Sequence, residues 1–275
     1  MCKDCGCSLT EPGEWVVEEV EGHALHHRAA PTGPLVSVPL LRDLLSQNDR
    51  IAGHNRAHFD AHGVLALNLM SAPGAGKTSL LERTIEELSG ALKIAVVEGD
   101  LATENDARRI RAKGVPAIQI TTGSACHLDA RMVHEALHEL SLEGLDLLFI
   151  ENVGNLVCPA SFDLGQHLDV VLLSVPEGDD KPQKYPVMFR TADVVLLSKC
   201  DLLGVLPEFD PGRAADSLRA IGVDVPLLPV SSGTRGSTAP WRSWLTDQMA
   251  RHRAMRRAAS EPHSERPAAI TSVSH

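Results

Sequence analysis

Aromatic residues make up only 3% of this 275-residue chain: three Trp, one Tyr and five Phe. That scarcity leaves little material for the base-stacking platforms that hold single-stranded nucleic acids. Positive charge is also in short supply, with 26 Lys and Arg against 36 Asp and Glu and a formal net charge of −10. Gripping a phosphate backbone needs clustered cations, so nucleic acid is a poor candidate partner. Long apolar runs are missing too. Stretches such as "VVLLSV" and "LLFI" fall far short of the roughly 20 residues that span a bilayer. The opening "MCKDCGCSLTEPGEW" has no apolar segment of the kind a secretory leader carries. A soluble cytoplasmic protein is expected.

What the chain does have is thiol and imidazole. Six cysteines stand at positions 2, 5, 7, 126, 158 and 200, beside 13 histidines. In a reducing compartment such thiols are ligands, nucleophiles or small packing residues rather than disulfides. Thiolate and imidazole together favour zinc, nickel or copper. Three of the thiols, Cys2, Cys5 and Cys7, crowd into "MCKDCGC". The run "GHALHHR" adds His23, His26 and His27, a cluster that could hold metal loosely or could be a solvated linker.

Residues 1–34 lack sustained periodicity and carry Gly13, Gly22, Pro31, Gly33 and Pro34, so a flexible arm is expected there. A leading helix is expected over 35–62, with Leu41, Leu44, Leu45, Asn48, Ala52, Asn55 and Phe59 at helical spacing. His54, His58 and His62 share one face of it. With His62 beside Gly63 and no carboxylate or thiol alongside, that face reads as solvated or capping. From residue 63 to about 250, apolar strands alternate with amphipathic helices, which implies a parallel sheet covered on both faces. The tail, 251–275, begins as a basic helical end and then reads as disordered. The fold class expected is α/β, a mostly parallel sheet flanked by helices behind a flexible N-terminal arm of thiols and imidazoles, and the loop that follows makes it a P-loop NTPase.

"SAPGAGKTS" carries the phosphate chemistry. It follows the apolar run "VLALNLM" and precedes the amphipathic "SLLERTIEELSG", which is the context a phosphate-binding loop requires. Gly74 and Gly76 let the backbone around Ala75 aim N–H groups at phosphate oxygens, and the helix start at Thr78 and Ser79 adds its dipole. Lys77 would reach the β- and γ-phosphates and Thr78 would ligate Mg²⁺. Ser71 replaces the first glycine of the full motif. Further on, "SKCD" at 198–201 lies close to the N-K-x-D element that reads guanine. Asp201 would accept from guanine N1–H and its amino group, a pairing adenine cannot offer. Lys199 would lay its stem along the base. Ser198 replaces an asparagine whose amide ties loops together. Ser231, in "VSSG", would bring backbone N–H groups to guanine O6. Two strand-end carboxylates, Asp100 of "IAVVEGD" and Glu151 of "LDLLFIENVG", are placed to act on Mg²⁺ or on attacking water, and Gly154 to let backbone approach the γ-phosphate. Strand-end capping is the plainer alternative for both carboxylates.

Cys126 and His127 sit side by side in "GSACHLD", and Cys158 follows Gly154 by four residues. One thiolate and one imidazole cannot close a tetrahedral zinc site; adding Cys158 gives three donors. A second copy across a two-fold interface could complete the set. Cys200 reads as a small packing residue.

The segments "MCKDCGC", "NLMSAPGAGKTSLLE", "EGDLATENDA", "ENVGNLVCPASFDLG", "SVPEGDDKPQKYPVMF" and "SKCDLL" together resemble the HypB family of hydrogenase nickel-incorporation GTPases. The resemblance covers nearly the whole chain apart from the linker after Cys7 and the tail. It implies a metal-regulated GTPase that delivers nickel to the large subunit of [NiFe]-hydrogenase, dimerises with nucleotide, and works beside a small zinc-containing nickel chaperone, HypA. It implies GTP/GDP and Mg²⁺ as nucleotide and cofactor. It also implies Ni²⁺ at Cys2, Cys5 and Cys7, and Ni²⁺ or Zn²⁺ at Cys126, His127 and Cys158. Two other readings fit parts of the chain: a nickel store or sensor with weak GTPase, and an ATP-dependent metal chaperone. Slow turnover is expected, because no arginine finger is evident within the chain.

Overall fold

The computed structural model describes residues 15–20, 23–28, 37–100, 105–123, 125–234 and 236–260. In chain order the elements are β1 (Trp15–Val20), β2 (His23–Arg28), α1 (Ser37–His62), β3 (Leu65–Ser71), α2 (Lys77–Leu88), β4 (Ile94–Asp100), α3 (Asn105–Arg111), β5 (Ala117–Thr121) and α4 (Ala130–Leu137). Then follow β6 (Leu147–Glu151), β7 (Leu168–Ser174), α5 (Lys181–Lys184), α6 (Pro186–Arg190), β8 (Val194–Ser198), α7 (Pro211–Ala220), β9 (Leu227–Pro229) and α8 (Ala239–Ser260). Strands β3 to β9 form one parallel sheet in the order β5-β4-β6-β3-β7-β8-β9. This is the expected P-loop NTPase architecture.

Strand β3 lies in the middle and is buried along its whole length. Its alternate residues face opposite layers. Leu65, Leu67 and Leu69 pack with Leu80, Leu81 and Ile85 of α2 and with Trp241, Leu245 and Met249 of α8. On the other face Ala66 packs with Phe59 of α1 and with Val133 and Leu137 of α4. Burial of both faces explains why these strands read as continuous apolar runs rather than alternating ones. The strand order reverses beside β3, whose neighbours are β6 and β7. Ligands of open parallel sheets bind at such a reversal, beyond the carboxyl ends of the strands.

Two boundaries differ from expectation. The segment 1–34, read as an arm without regular structure, contains an antiparallel hairpin with register from Trp15↔Arg28 to Val20↔His23. Trp15, Val16, Val17 and Val20 supply strand-favouring residues; weight given to the surrounding Gly and Pro hid them. At the other end, the helical start expected after residue 250 is part of α8, which runs to Ser260 and so crosses the expected domain boundary. His252 is buried with its ring 4.8 Å from that of His167, and Arg253 bridges Asp146 at 2.7 Å. These partners lie far off in sequence, so composition could not show them. No described helix is long and apolar enough to cross a membrane.

Candidate active site and metal centre

The chain leaves β3 at Ser71 and turns through Gly74 and Gly76, both left-handed, with φ 74° and 100°. Glycine is the residue that adopts such angles without a Cβ penalty. Helix α2 starts at once with Lys77 and Thr78, both buried. Ser71, the departure from the full motif, has a local role. Its hydroxyl accepts from Lys77 Nζ at 3.2 Å and donates to Ala72 O at 2.7 Å, so it holds the lysine at the loop. Loop, α2, the end of β4, α3 and the segment after β6 enclose a cleft of about 400 Å³.

Thr78 Oγ1 donates to Glu151 Oε1 at 2.9 Å. Glu151 is the register partner of Glu98 across β4 and β6, and both carboxyls are buried. The Oε2 atom of each has no hydrogen-bond partner among the described residues. Burial, and then the charge of Glu151, pushes the Glu98 carboxyl far up. Burial also raises Glu151, against the pull of Lys77. Two buried carboxyls with orphaned oxygens beside a threonine hydroxyl fit a hard divalent cation such as Mg²⁺, whose ligands are oxygens. Sequence reasoning chose Asp100, which does line the cleft, and passed over Glu98. The available signal was a charged residue inside the otherwise apolar "IAVVEG". Arg109 also lines the cleft, but its guanidinium is held by Glu82 at 2.6 Å and Asp106 at 2.8 Å.

The residues expected to read a base lie after β8 and β9. Ser198 Oγ donates to Ala75 O in the phosphate loop at 2.7 Å. The hydroxyl therefore makes a tie that the sequence reading expected serine to lose. Lys199 has φ 58° and is the single non-glycine residue with positive φ among those described. Ser231 Oγ donates to Asp201 Oδ1, and Cys200 N bonds Val230 O at 3.2 Å. The loops after β8 and β9 are thus joined, and Ser198 ties the first of them to the phosphate loop. Cys200 Sγ is committed to Leu197 O at 3.0 Å, consistent with packing.

Cys126, His127 and Cys158 come together, with one ligand atom from each lying within 4.8 Å of the others. His127 is only 4% exposed and stacks on Phe162 with centroids 4.0 Å apart. Burial lowers its pKa, which favours the neutral imidazole that binds metals. Two thiols and one neutral imidazole suit a borderline divalent ion, and three donors leave a coordination position open. The loop carrying Cys126 and His127 is clipped to the segment leaving β6: Leu128 N donates to Asn152 Oδ1 at 3.1 Å and Asn155 Nδ2 to Cys126 O at 3.2 Å. Gly154, between them, presses on the phosphate loop. A Cβ there would lie 2.8 Å from Pro73 Cα. Cys2, Cys5 and Cys7 lie outside the described residues, as do the side chains of His23, His26 and His27.

A family model described as "CobW/HypB/UreG, nucleotide-binding domain" matches residues 65–211, from β3 to the first residue of α7. The hydrogenase maturation factor HypB of Azotobacter chroococcum mcd 1 is 49% identical over 246 residues, 86% of this chain and 80% of that protein. HypB of Azotobacter vinelandii is 53% identical over 208 residues, 75% of this chain and 68% of its own. A crystal structure of HypB from Helicobacter pylori in complex with nickel matches with a TM-score of 0.71 at 41% identity, covering 80% of this chain and 100% of that one. A phosphate loop beside a Cys-His-Cys cluster, on a sheet shared with these proteins, has one family explanation: the chain belongs to the CobW/HypB/UreG nucleotide-binding family, among the HypB hydrogenase maturation factors.

Proposed function

We propose that this protein hydrolyses GTP and binds nickel, and that it helps insert nickel into the large subunit of [NiFe]-hydrogenase. The observation that carries the reading is the path of one segment. Residues 151–154 line the cleft, Gly154 meets the phosphate loop at Pro73, and the segment goes on to the candidate ligand Cys158. Nucleotide state and metal affinity can be linked through this segment if the ion binds the two states differently.

In this reading the N–H groups of Gly74, Ala75, Gly76 and Ser79 cradle phosphate oxygens, and Lys77 moves from Ser71 onto the β- and γ-phosphates. Thr78 and Glu151 would hold Mg²⁺, which would supply charge neutralisation of the triphosphate. Asp100, which lines the cleft, would orient the attacking water. That water adds to the γ-phosphorus, the bond to the β–γ bridging oxygen breaks, and GDP and inorganic phosphate leave. Asp201, backed by Ser231, accepts from guanine, with Lys199 along the base and Ser198 holding the loop to Ala75. Among the described residues Arg109 is the arginine that lines the cleft, and Glu82 and Asp106 hold it; slow intrinsic turnover is part of this reading.

Cys126, His127 and Cys158 would bind Ni²⁺ or Zn²⁺, and Cys2, Cys5 and Cys7 would capture Ni²⁺ ahead of transfer. A HypA-type chaperone, the hydrogenase large-subunit precursor and a second copy of this chain are the proposed partners, in the cytoplasm. GTP turnover tests the enzymatic part. Lys77→Ala should abolish it, and Asp201→Asn should shift preference toward xanthosine triphosphate. Unchanged turnover in the first variant, or unchanged guanosine preference in the second, contradicts the assignment.

A further inference from the structure

The row His54, His58 and His62 on α1 does not face solvent alone. Helix α4 lies against α1 and brings His134 and His138 to it. The His54 and His134 rings are 5.8 Å apart, those of His58 and His62 4.7 Å, and those of His134 and His138 4.9 Å. After burial, the influences on His58 are the imidazoles of His62, His134, His54 and His138, in that order. Five imidazoles, three from α1, one from α4 and one at its C-terminal end, therefore line one exposed seam, where His54 and His134 meet across the two helices.

Two of the five have their ring nitrogens assigned by their partners. Asn55 is fully buried, and its Nδ2 already donates to Ala130 O at 2.8 Å and Leu164 O at 3.0 Å. Its Oδ1 can only accept, so His134 Nδ1, 3.0 Å away, must be the donor. His62 Nδ1 faces the carbonyl of His58 at 2.9 Å, which likewise requires a donor. Both rings then keep the Nε2 lone pair free. A histidine whose Nδ1–H is fixed by a carbonyl oxygen, leaving Nε2 to bind, is the usual arrangement of a metal ligand. The i, i+4 spacing of His54 with His58, His58 with His62, and His134 with His138 places each pair on one helix face. Closing three rings on one ion needs rotation of the exposed His58 and His138 side chains, motions of the fastest class.

We propose that these histidines form a second metal site, all-imidazole, for a borderline divalent ion, with His54 and His134 as the ligands that join the two helices. Such a donor set suits nickel, zinc or copper and not the hard Mg²⁺ of the nucleotide cleft. The site shares no ligand with Cys126, His127 and Cys158. His134 lies one turn into α4, the helix that begins three residues after His127, so an ion held here waits beside the inner centre.

The test uses the full chain with all five candidate thiol ligands, Cys2, Cys5, Cys7, Cys126 and Cys158, changed to serine, titrated with Ni²⁺ alone. Binding should persist without thiolate-to-nickel absorption. Adding His54→Gln with His134→Asn, which keeps a donor for Asn55, should weaken it about tenfold or more. Changing His23, His26 and His27 to glutamine should leave it unaltered. No binding in the serine background, or loss through the arm histidines instead, overturns the proposal. Should that background not fold, the wild-type chain with its thiol sites filled by Zn²⁺ decides. Added Ni²⁺ should broaden the imidazole proton resonances of His54, His58, His62, His134 and His138 ahead of all others, and broadening elsewhere or none at all rejects the site. GTP turnover and the thiolate–nickel absorption of the wild-type chain report separately on the proposed function.

Discussion

Gly154→Ala tests whether the segment after β6 acts on the phosphate loop through direct contact. The added methyl would sit 2.8 Å from Pro73 Cα, 3.0 Å from Pro73 N and 3.2 Å from Pro73 Cγ. Two of those atoms are backbone and the third belongs to a rigid ring, so no flexible side chain can swing away. Relief requires the two segments to separate by several tenths of an ångström. Overpacking of this kind costs about 1–3 kcal/mol. The strain falls where nucleotide is proposed to bind, since Pro73 and Gly154 both line the cleft. If most of it is expressed there, affinity for GDP and for a GTP analogue drops by about fivefold to 100-fold, at 1.4 kcal/mol per decade. Fluorescent-nucleotide titration with a parallel thermal melt separates the two ways the strain can be released. Weaker binding with a modest loss of melting temperature is expected. Wild-type affinity together with wild-type melting temperature would show that the contact carries no strain, and the proposed linkage would lose its physical basis.

Two further outcomes follow from the same coordinates. Gly53, inside α1, has open space where a Cβ would go and no positive φ; Gly53→Ala should raise stability by up to about 1 kcal/mol, and destabilisation in urea melts would refute the helix packing described. Asp169 is pushed up to about 6 by burial, although Gln166 and Asn68 donate to it. Its native carboxyl holds a proton more tightly than the unfolded one, so this group's contribution to stability falls as pH rises through about 6. Between about pH 5 and pH 7 the wild type should lose ~1.3 kcal/mol relative to Asp169→Asn. An unchanged difference, or one of opposite sign, contradicts the burial argument.

The phosphate loop was legible because its chemistry is local: strand, glycine turn, lysine and helix follow one another in sequence. The parallel sheet was legible for a similar reason, since strands buried on both faces show as unbroken apolar runs. What remained hidden depends on long-range pairing. Glu98 gains its character only from its register with Glu151, and Asp100, at the strand end, drew attention in its place. The serine at 198 looked like a loss until its hydroxyl met Ala75 O. Helix α8 looked like a domain end running into a tail, because Asp146 and His167, the partners of Arg253 and His252, lie on distant turns of the chain. The grouping of Cys126 and His127 with Cys158 was suggested by composition and motif; that they lie within ligand reach of one ion is a property of the fold.

Nickel affinity at the inner centre, measured with GDP and again with a non-hydrolysable GTP analogue, bears most directly on the account. The chain would carry Cys2, Cys5 and Cys7 as alanines, and thiolate-to-nickel absorption would report on Cys126 and Cys158 alone. The two affinities should differ by about fivefold or more, the usual scale of a coupling free energy. Equal affinities would mean that residues 151–158 transmit nothing from the nucleotide cleft to the metal.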